Sequence, residues 1–292
     1  MKHRVLDLFS GIGGFSLGLE RTGGFETSAF CELDERAQLV LAKHWPDVPI
    51  YTDVRALSVE QLRTDGIVPT VITGGFPCTD ISKSGPGFGI GITGSRSGLW
   101  SEMFRLARDV RPKWIIAENV PALRTRGLTL VLQNLCSIGY CVEWHCIPAS
   151  AIGALHRRDR IWIIARLANP DSTHGQRDWC SIGIPPELTD PDSRSTGGDA
   201  EALVSDPQRL GQQGQGQFGV GGGAKKIVDR ETIRSFHGRV KDFWVTEPNV
   251  GRVAHGVPRR MDRLKQLGNS VVPQIPQLIG ECILNYERGG CE

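Results

Sequence analysis

Short apolar runs that alternate with amphipathic stretches constrain the fold of the first 167 residues more than any other feature. The apolar runs cover residues 5–9, 27–31, 68–73, 114–117 and 161–165, and helical spacing covers residues 15–21 and 34–44. Strands that alternate with helices form a parallel sheet covered on both faces. We therefore expect a doubly wound α/β domain, whose ligand crevice lies at the carboxyl ends of the strands.

A glycine turn follows the first predicted strand and opens the first predicted helix. It reads Gly-x-Gly-Gly over residues 11–14 and lacks the third glycine of a dinucleotide fingerprint. Glycines let a ligand approach bare backbone at a helix start, and Glu32 follows the second predicted strand, where a carboxylate binds ribose hydroxyls. The pattern favours a nucleoside cofactor. A nicotinamide dehydrogenase is an alternative that rests on this turn alone.

Reactive groups lie directly next to three other predicted strands, after two of them and before the third. Cys78 comes after the strand at 68–73, where a proline and two glycines favour an exposed nucleophile over an inert buried thiol. Glu118 follows the strand at 114–117 and is expected to face the same crevice. Arg158 and Arg160 precede the strand at 161–165. Side chains alternate between the two faces of a strand, so both arginines lie on one face, where they can bind an anionic or carbonyl group together.

The order of these motifs resembles the DNA (cytosine-5)-methyltransferase family. The resemblance rests on Phe-Pro-Cys at residues 76–78, Glu-Asn-Val at 118–120, the Arg-x-Arg pair and Gly-Asn-Ser-Val-Val-Pro at 268–273. The C-terminal residues are similar to the form found in bacterial and phage modification enzymes. One departure is His156, where the family usually has glutamine. The resemblance implies a doubly wound S-adenosylmethionine-dependent methyltransferase (Rossmann-like) sheet with a small, loop-rich target recognition domain.

This resemblance divides the chain into three parts. Residues 1–167 are expected to form the catalytic, cofactor-binding domain, and residues 168–250 the target recognition domain. Residues 251–292 are a C-terminal segment that returns to the catalytic domain. The middle part holds a run of glycine and glutamine at 211–217 and three glycines at 221–223, which predict a loop-rich segment.

The resemblance also implies roles for individual residues. S-adenosyl-L-methionine is the implied cofactor. Cys78 is the implied nucleophile, Glu118 engages the pyrimidine edge, and Arg160 contacts the base carbonyl with support from Arg158. Glu32 binds the cofactor's ribose and Asp53 its adenine amino group. The full set of implied cofactor-binding residues is Phe9, Gly11, Gly13, Glu32, Asp53, Pro77, Asn269, Ser270 and Val271.

Methylation of cytosine explains why these residue types are needed. C5 of cytosine is a poor nucleophile, and a thiolate that adds to C6 converts the ring to an enamine whose C5 is nucleophilic. A carboxyl group at N3 and the exocyclic amine stabilises the charge that develops there. The base must leave the duplex to be reached, so the implied partner is double-stranded DNA. A tRNA cytosine-5 methyltransferase and a catalytically silent DNA-binding relative are the alternatives.

A net charge of +2 over 292 residues is smaller than the basic footprint of most nucleic-acid-binding proteins. The middle part carries 9 Lys and Arg against 12 Asp and Glu, whereas residues 1–167 carry 19 against 16. We therefore expect DNA to be held by local basic residues in one cleft, with modest non-specific affinity. The glycines between residues 82 and 100 predict a loop that closes over the flipped base. The predicted DNA contacts, besides the Arg-x-Arg pair, are Arg96, Lys225, Lys226, Arg259 and Arg260.

The remaining features concern the protein's surroundings. No apolar run approaches the roughly 20 residues that span a bilayer, and no secretory pattern is present, so we expect a cytoplasmic protein without membrane contact. Cys136, Cys141, His145 and Cys146 match no zinc signature, and we expect a core helix–strand pair there and no metal site. We expect a monomer. Restriction–modification with a cognate restriction endonuclease and phage self-protection both fit the sequence.

Overall fold

The computed structural model describes residues 1–77, 98–168, 215–217, 227–240 and 266–289. The strands are β1 (His3–Leu8), β2 (Phe25–Cys31), β3 (Ile50–Tyr51), β4 (Val71–Gly74), β5 (Trp114–Asn119), β6 (Tyr140–Pro148), β7 (Asp159–Leu167) and β8 (Gln215–Gln217). The helices are α1 (Gly14–Glu20), α2 (Glu35–His44), α3 (Val59–Thr64), α4 (Leu99–Val110), α5 (Leu123–Arg126), α6 (Leu128–Ser137), α7 (Arg230–Val240) and α8 (Gln274–Glu287).

The strands form one eight-stranded sheet in the order β3-β2-β1-β4-β5-β7-β6-β8. Strands β1 to β5 are parallel, as predicted. The prediction of a wholly parallel sheet is wrong at the other edge, because β7 runs antiparallel to β5 and to β6, and β8 antiparallel to β6. Only the short segment 149–158 joins β6 to β7, whereas a parallel pair needs a crossover of a dozen residues or more.

Hydrophobic cores lie on both faces of the sheet. Adjacent residues of β5 face opposite sides, so Ile115 packs in one core and Ile116 in the other. Helices α3, α4 and α6 cover the first core, and α1, α7 and α8 cover the second. This two-sided cover confirms the doubly wound α/β class. Within the described ranges, no helix combines the length and the apolar character needed to cross a membrane.

Helix α7 lies inside the predicted 168–250 domain but packs on the catalytic body. Phe236 and Val228 are fully buried in the second core. Glu143 on β6, itself buried, accepts hydrogen bonds from the backbone N–H groups of Ile227 (3.0 Å) and Val228 (3.2 Å). His145 Nε2 lies 3.0 Å from the same carboxylate. Within the predicted 168–250 domain, residues 215–217 therefore pair with β6 and residues 227–240 pack on the second core of the catalytic body.

Helix α1 contacts the C-terminal segment through glycines. A Cβ added at Gly18 would lie 2.1 Å from the carbonyl oxygen of Pro273, and one added at Gly14 would lie 2.7 Å from that of Val271. These distances are too short for any side chain, and the contacted atoms are backbone. The sequence 270–273 can therefore dock on α1 only because these positions lack a side chain.

We expect Gly18→Ala to destabilise the fold by about 3 kcal/mol, the upper range for overpacking, because the Pro273 backbone cannot yield easily. Gly238→Ala is the matched control, since Gly238 is exposed on α7 and its added Cβ would meet nothing within 4 Å. Alanine there is expected to raise the free energy of unfolding by up to about 1 kcal/mol. Urea denaturation of the two variants measures both effects, and equal stability of Gly18→Ala and the natural protein would contradict the packing.

Candidate active site

A cavity of about 680 Å³ lies at the carboxyl ends of the five parallel strands. The strand order reverses between β1 and β4, and open α/β sheets bind their ligands at such a switch point. Residues that directly follow β1, β2, β3 and β4 line the cavity, together with the last residues of β5. The antiparallel β7 starts at the same edge, so its first residues line the cavity as well. The topology thus brings six strand ends to one site.

The glycine turn after β1 and the residues after β2 form one end of the cavity. Gly11 has a φ of +54° and open space where a Cβ would lie, so its backbone faces the cavity without cover. Its N–H donates to Glu32 Oε2 at 2.7 Å, and the N–H of Asp34 donates to Glu32 Oε1 at 2.8 Å. Both oxygens of Glu32 are therefore oriented by backbone donors. Leu33 adds an apolar side chain that is 69% exposed.

Asp53 follows β3 and extends the same wall. Its Oδ1 accepts the N–H of Arg55 at 2.9 Å, and its other oxygen lies 3.9 Å from the Arg55 guanidinium. The carboxylate is partly exposed and lines the cavity. Glu32, Leu33 and Asp53 thus combine two acidic groups with an apolar surface, an arrangement that suits a nucleoside with hydroxyl and amino groups to donate.

Glu118 and Arg160 form an ion pair at the opposite end of the cavity. Glu118 lies within β5, one residue before its end, and not after the strand as predicted. It pairs in register with Trp162, so Arg160 two residues earlier is its diagonal neighbour on the same face. Arg160 Nε donates to Glu118 Oε1 at 2.7 Å. The Arg160 side chain is 23% exposed and the Glu118 side chain is 14% exposed.

The charge of Glu118 is set by two opposing effects. Burial raises the pKa of Glu118 above its ordinary value, and the nearby guanidinium groups of Arg160 and Arg158 lower it by less. The protonated form is therefore easier to reach than in an exposed glutamate. A carboxyl group with a raised pKa beside a guanidinium can give or share a proton with a bound ring. A raised pKa is what a carboxyl group needs to act as a general acid.

The segment that leads to Cys78 passes close to this ion pair. A Cβ added at Gly75 would lie 3.0 Å from Glu118 Oε2, so the glycine permits a close approach. Asn119, which is 2% exposed, donates from Nδ2 to the carbonyl of Phe76 at 3.1 Å and orients that segment. Pro77 lines the cavity. Cys78 is the next residue in the sequence and lies outside the described residues, as does the predicted closing loop as far as residue 97.

Arg158 binds the C-terminal segment. Its Nη1 donates to the carbonyl of Gly268 and its Nη2 to that of Ser270, both at 2.7 Å. On the other side of the cavity, Gln266 Nε2 donates to Asp34 Oδ2 at 2.9 Å. Burial and the charge of Arg160 lower the pKa of Arg158, and Glu118 raises it by less. The segment 266–270 is therefore attached to both ends of the cavity.

The structure brings together nine of the twelve sequence-predicted site residues that it describes. Phe9, Gly11, Glu32, Asp53, Pro77, Glu118, Arg158, Arg160 and Asn269 all line the cavity. Gly13, Ser270 and Val271 do not line the cavity. A Cβ added at Gly13 would lie 2.7 Å from the Trp45 ring, and Ser270 and Val271 pack against Gly14 at the start of α1. The predicted DNA contacts Arg96, Lys225, Lys226, Arg259 and Arg260 lie outside the described residues.

Sequence reasoning missed Asp34 and Gln266. Asp34 carries a local signal, because its side chain caps α2 by accepting the N–H of Arg36. That signal indicates a helix start and says nothing of a cavity. Gln266 carries no local signal, since its partner lies 232 residues away in the sequence.

Asp7 lies within β1, close to the site, and is fully buried. Its carboxylate accepts hydrogen bonds from Thr73 Oγ1 on β4 at 2.8 Å and from Ser16 Oγ on α1 at 2.9 Å. Burial raises the pKa of Asp7 from 3.8 to about 7, by more than these hydrogen bonds lower it. The residue thus ties the two strands at the switch point to the helix that follows the glycine turn.

We expect Asp7 to make stability depend on pH. The folded state binds this proton more tightly than the unfolded chain, so the free energy of unfolding falls as pH rises from about 4 to about 7. Three pKa units correspond to on the order of 4 kcal/mol. Asp7→Asn should remove this slope, whereas Asp47→Asn, at an exposed aspartate, should keep it. Urea denaturation at pH 5 and pH 8 measures the difference, and parallel profiles for all three proteins would contradict it.

The other cysteines and potential metal ligands near the sheet show no reactive arrangement. Cys31 also lines the cavity, but burial, with Glu32 and Asp53 nearby, raises the pKa of its thiol to about 12. Cys136 lies on α6, and Cys141, His145 and Cys146 lie on β6, which is the predicted helix–strand pair. Among the residues that the structure describes, no group of three His, Cys, Asp or Glu side chains is placed to hold a metal ion.

Comparison with known proteins relates this arrangement to one family. Residues 3–181 match C-5 cytosine-specific DNA methylases. The chain is 37% identical to the Type II methyltransferase M2.BsuMI of Bacillus subtilis (strain 168) over 172 residues, which cover 56% of this chain and 42% of that protein. It is 35% identical to M.CviJI of Paramecium bursaria Chlorella virus IL3A over 167 residues, 56% of this chain and 43% of that protein. The matched region spans less than half the length of these relatives.

Solved structures share the fold over nearly the whole chain. Entamoeba histolytica methyltransferase EhMeth has a TM-score of 0.59 and 17% identity, covering 98% of this chain and 99% of that one. S. pombe Dnmt2 methyltransferase has a TM-score of 0.57 and 14% identity, covering 98% and 99%. These likenesses confirm the methyltransferase fold. Since the family match from residue 3 to residue 181 covers more than half of the sequence, this chain belongs to the C-5 cytosine-specific DNA methylase family.

Proposed function

We propose that the protein is a DNA (cytosine-5-)-methyltransferase. The observation that carries the proposal is a cavity in which acidic and apolar groups that suit a nucleoside face a partly buried carboxyl–guanidinium pair. The glycine turn alone would suit a nicotinamide enzyme equally well, but such an enzyme has no use for the Glu118–Arg160 pair. The family match and the names of the Type II methyltransferase relatives support DNA as the substrate.

The acidic end of the cavity fits S-adenosyl-L-methionine. The backbone of Gly11 is open to the cavity, Glu32 can accept from ribose hydroxyls, and Asp53 can accept from the adenine amino group. Leu33 offers an apolar surface to the purine ring. When bound, the cofactor supplies a methyl group on a positively charged sulfur. The residues that hold it in this proposal are Phe9, Gly11, Glu32, Asp53, Pro77 and Asn269, and the packing of Gly13, Ser270 and Val271 supports the cavity from outside.

The opposite end of the cavity fits a cytosine that has left the duplex. Glu118 hydrogen-bonds N3 and the exocyclic amine, and Arg160 donates to the carbonyl oxygen at C2. Cys78, which follows the cavity-lining Pro77 by one peptide bond, forms a bond to C6, and the ring electrons move to make C5 nucleophilic. Protonation at N3 by Glu118 balances the charge. Once C5 is substituted, C5 loses its proton to solvent, which re-forms the C5–C6 double bond and expels the Cys78 thiolate, and N3 returns its proton to Glu118.

Recognition of the DNA site is proposed for the middle of the chain. Because residues 215–217 pair with β6 and residues 227–240 pack on the catalytic body, we place the recognition segment within residues 169–214. The basic residues Arg96, Lys225, Lys226, Arg259 and Arg260 are proposed phosphate contacts, and each should weaken binding uniformly across DNA sequences when removed. A restriction–modification context with a cognate endonuclease is proposed from the named relatives.

The test is transfer of labelled methyl groups from S-adenosylmethionine to two acceptors, duplex DNA and tRNA. We expect label in duplex DNA, released as 5-methylcytosine on digestion. Bisulfite sequencing of DNA from cells that express the protein then gives the recognised sequence. Label in tRNA alone would replace the proposal with a tRNA methyltransferase. DNA binding without label in either acceptor would identify a silent relative.

A further inference from the structure

We propose that Arg158 is a positioning residue that holds the C-terminal segment 266–270 over the cofactor end of the cavity and takes no part in contacting the base. The inference rests on the proposed function, because it concerns the cofactor of that same site. The sequence predicts that Arg158 and Arg160 bind the same anionic or carbonyl group. The hydrogen bonds of the two side chains differ, however.

The guanidinium of Arg158 is already engaged by protein groups. Both of its terminal nitrogens donate to backbone carbonyls, of Gly268 and Ser270, at 2.7 Å. Arg160 instead directs its Nε to the Glu118 carboxylate and its Nη1 to the carbonyl of the adjacent Asp159, so it makes no hydrogen bond to the C-terminal segment in the described residues. A charged donor that serves two carbonyls at this distance forms strong, charge-assisted hydrogen bonds. Using Arg158 to contact a base would break one of them and free a carbonyl of the C-terminal segment.

The backbone of Arg158 is shaped for this contact. Its φ of +34° lies in the left-handed region, which residues with a side chain seldom adopt. The strand alternation that would place it level with Arg160 begins only at Asp159. The side chain therefore leaves the regular strand direction and reaches residues that lie 110 and 112 positions further along the sequence.

The segment held by Arg158 also forms part of the cofactor end. Gln266, Gly268 and Asn269 line the cavity, and Gln266 donates to Asp34, the residue whose N–H orients Glu32. One attachment of the segment is therefore at the base end, through Arg158, and the other is at the cofactor end, through Gln266. Loss of either attachment frees Asn269 from its place in the wall. Cofactor affinity should fall as a result, while the Glu118–Arg160 pair stays intact.

The experiment is calorimetric titration of the full chain with S-adenosylmethionine, using Arg158→Ala and Arg158→Lys. We expect the Kd to rise at least about tenfold in the alanine variant, and by less in the lysine variant, which keeps the charge on a single donor nitrogen. Arg157→Ala is the matched control: this neighbouring arginine is 84% exposed and its guanidinium pairs with Asp159. It should leave the Kd unchanged. In steady-state assays, Arg158→Ala should raise the KM for the cofactor more than it lowers kcat.

Gln266→Ala provides a second and independent test. Because both attachments hold one segment, the double variant should lose less affinity than the sum of the two single losses. Thermal denaturation checks that each variant is folded. If a folded Arg158→Ala variant has an unchanged Kd and a reduced kcat, Arg158 acts on the base, and the inference is overturned. If the natural protein itself fails to bind S-adenosylmethionine, the proposed function fails instead.

Discussion

Replacement of Cys78 by serine is expected to abolish methyl transfer while S-adenosylmethionine still binds. A serine hydroxyl is far less ionised than a thiol and does not add to C6 at a useful rate, so activity should fall below about one part in 10⁴. Cofactor binding should persist, because the cofactor end is formed by the ends of β1, β2 and β3. Label transfer to duplex DNA and calorimetry with the cofactor measure the two properties separately.

Covalent trapping identifies the thiol directly. A duplex with 5-fluorocytosine at the target keeps fluorine at C5, so the proton loss that expels the enzyme cannot occur and the adduct persists. We expect an adduct with the natural protein and with Cys136→Ser, since Cys136 lies on α6 and does not line the cavity. Cys78→Ser should give none. An adduct that maps to any other cysteine would refute the assignment.

Glu118→Ala is expected to lower kcat by about 10²- to 10⁴-fold, the usual contribution of a positioned acid or base. The substitution removes the carboxyl group that faces the pyrimidine edge and leaves the Arg160 guanidinium without its partner at 2.7 Å. Glu118→Gln preserves the shape of the side chain, so this variant should fold like the natural protein. Its kcat should stay low, because an amide cannot donate the proton that N3 takes up. Glu26→Gln, at an exposed position of β2, is the control.

The pH dependence distinguishes this role from a structural one. Since burial raises the pKa of Glu118, its protonated form persists to higher pH than that of an exposed glutamate and is lost as pH rises through that pKa. With DNA and cofactor saturating, kcat of the natural protein should therefore fall on the alkaline side, and Glu118→Gln should lose that limb. An unchanged profile in a folded Glu118→Gln would mean that the carboxyl group does not titrate in the reaction.

The sequence predicts the parallel half of the fold well because its signals are local. The apolar runs that predict β1, β2, β4 and β5 are each followed directly by glycine or a polar residue, and parallel strands bring such ends to one edge. The positions of Glu32, Pro77 and Glu118 follow from this rule without knowledge of any long-range contact, whereas Asp53 follows β3, which the sequence does not predict, and is implied only by the family resemblance. The prediction fails for β6 and β7, because apolar runs do not reveal whether the next strand returns or crosses over.

Spacing within a motif is less informative than the contacts that the motif makes. Gly13 belongs to the glycine turn, yet its missing side chain makes room for the Trp45 ring instead of for a ligand. Arg158 stands two residues from Arg160, yet its left-handed backbone turns it away from the strand pattern. In both cases the partner lies outside the local sequence, so the pattern alone cannot name it.

The sequence by itself determined the fold class and the family of this protein, because strand ends, glycine turns and motif residues are encoded within a few neighbouring residues. The tertiary structure alone decided how the chain closes the cavity. Arg158 with Gly268, Gln266 with Asp34, and Gly18 with Pro273 join residues more than 100 positions apart. Such pairs depend on how α1, β7 and the C-terminal segment pack together, and no period or motif in the sequence records that packing.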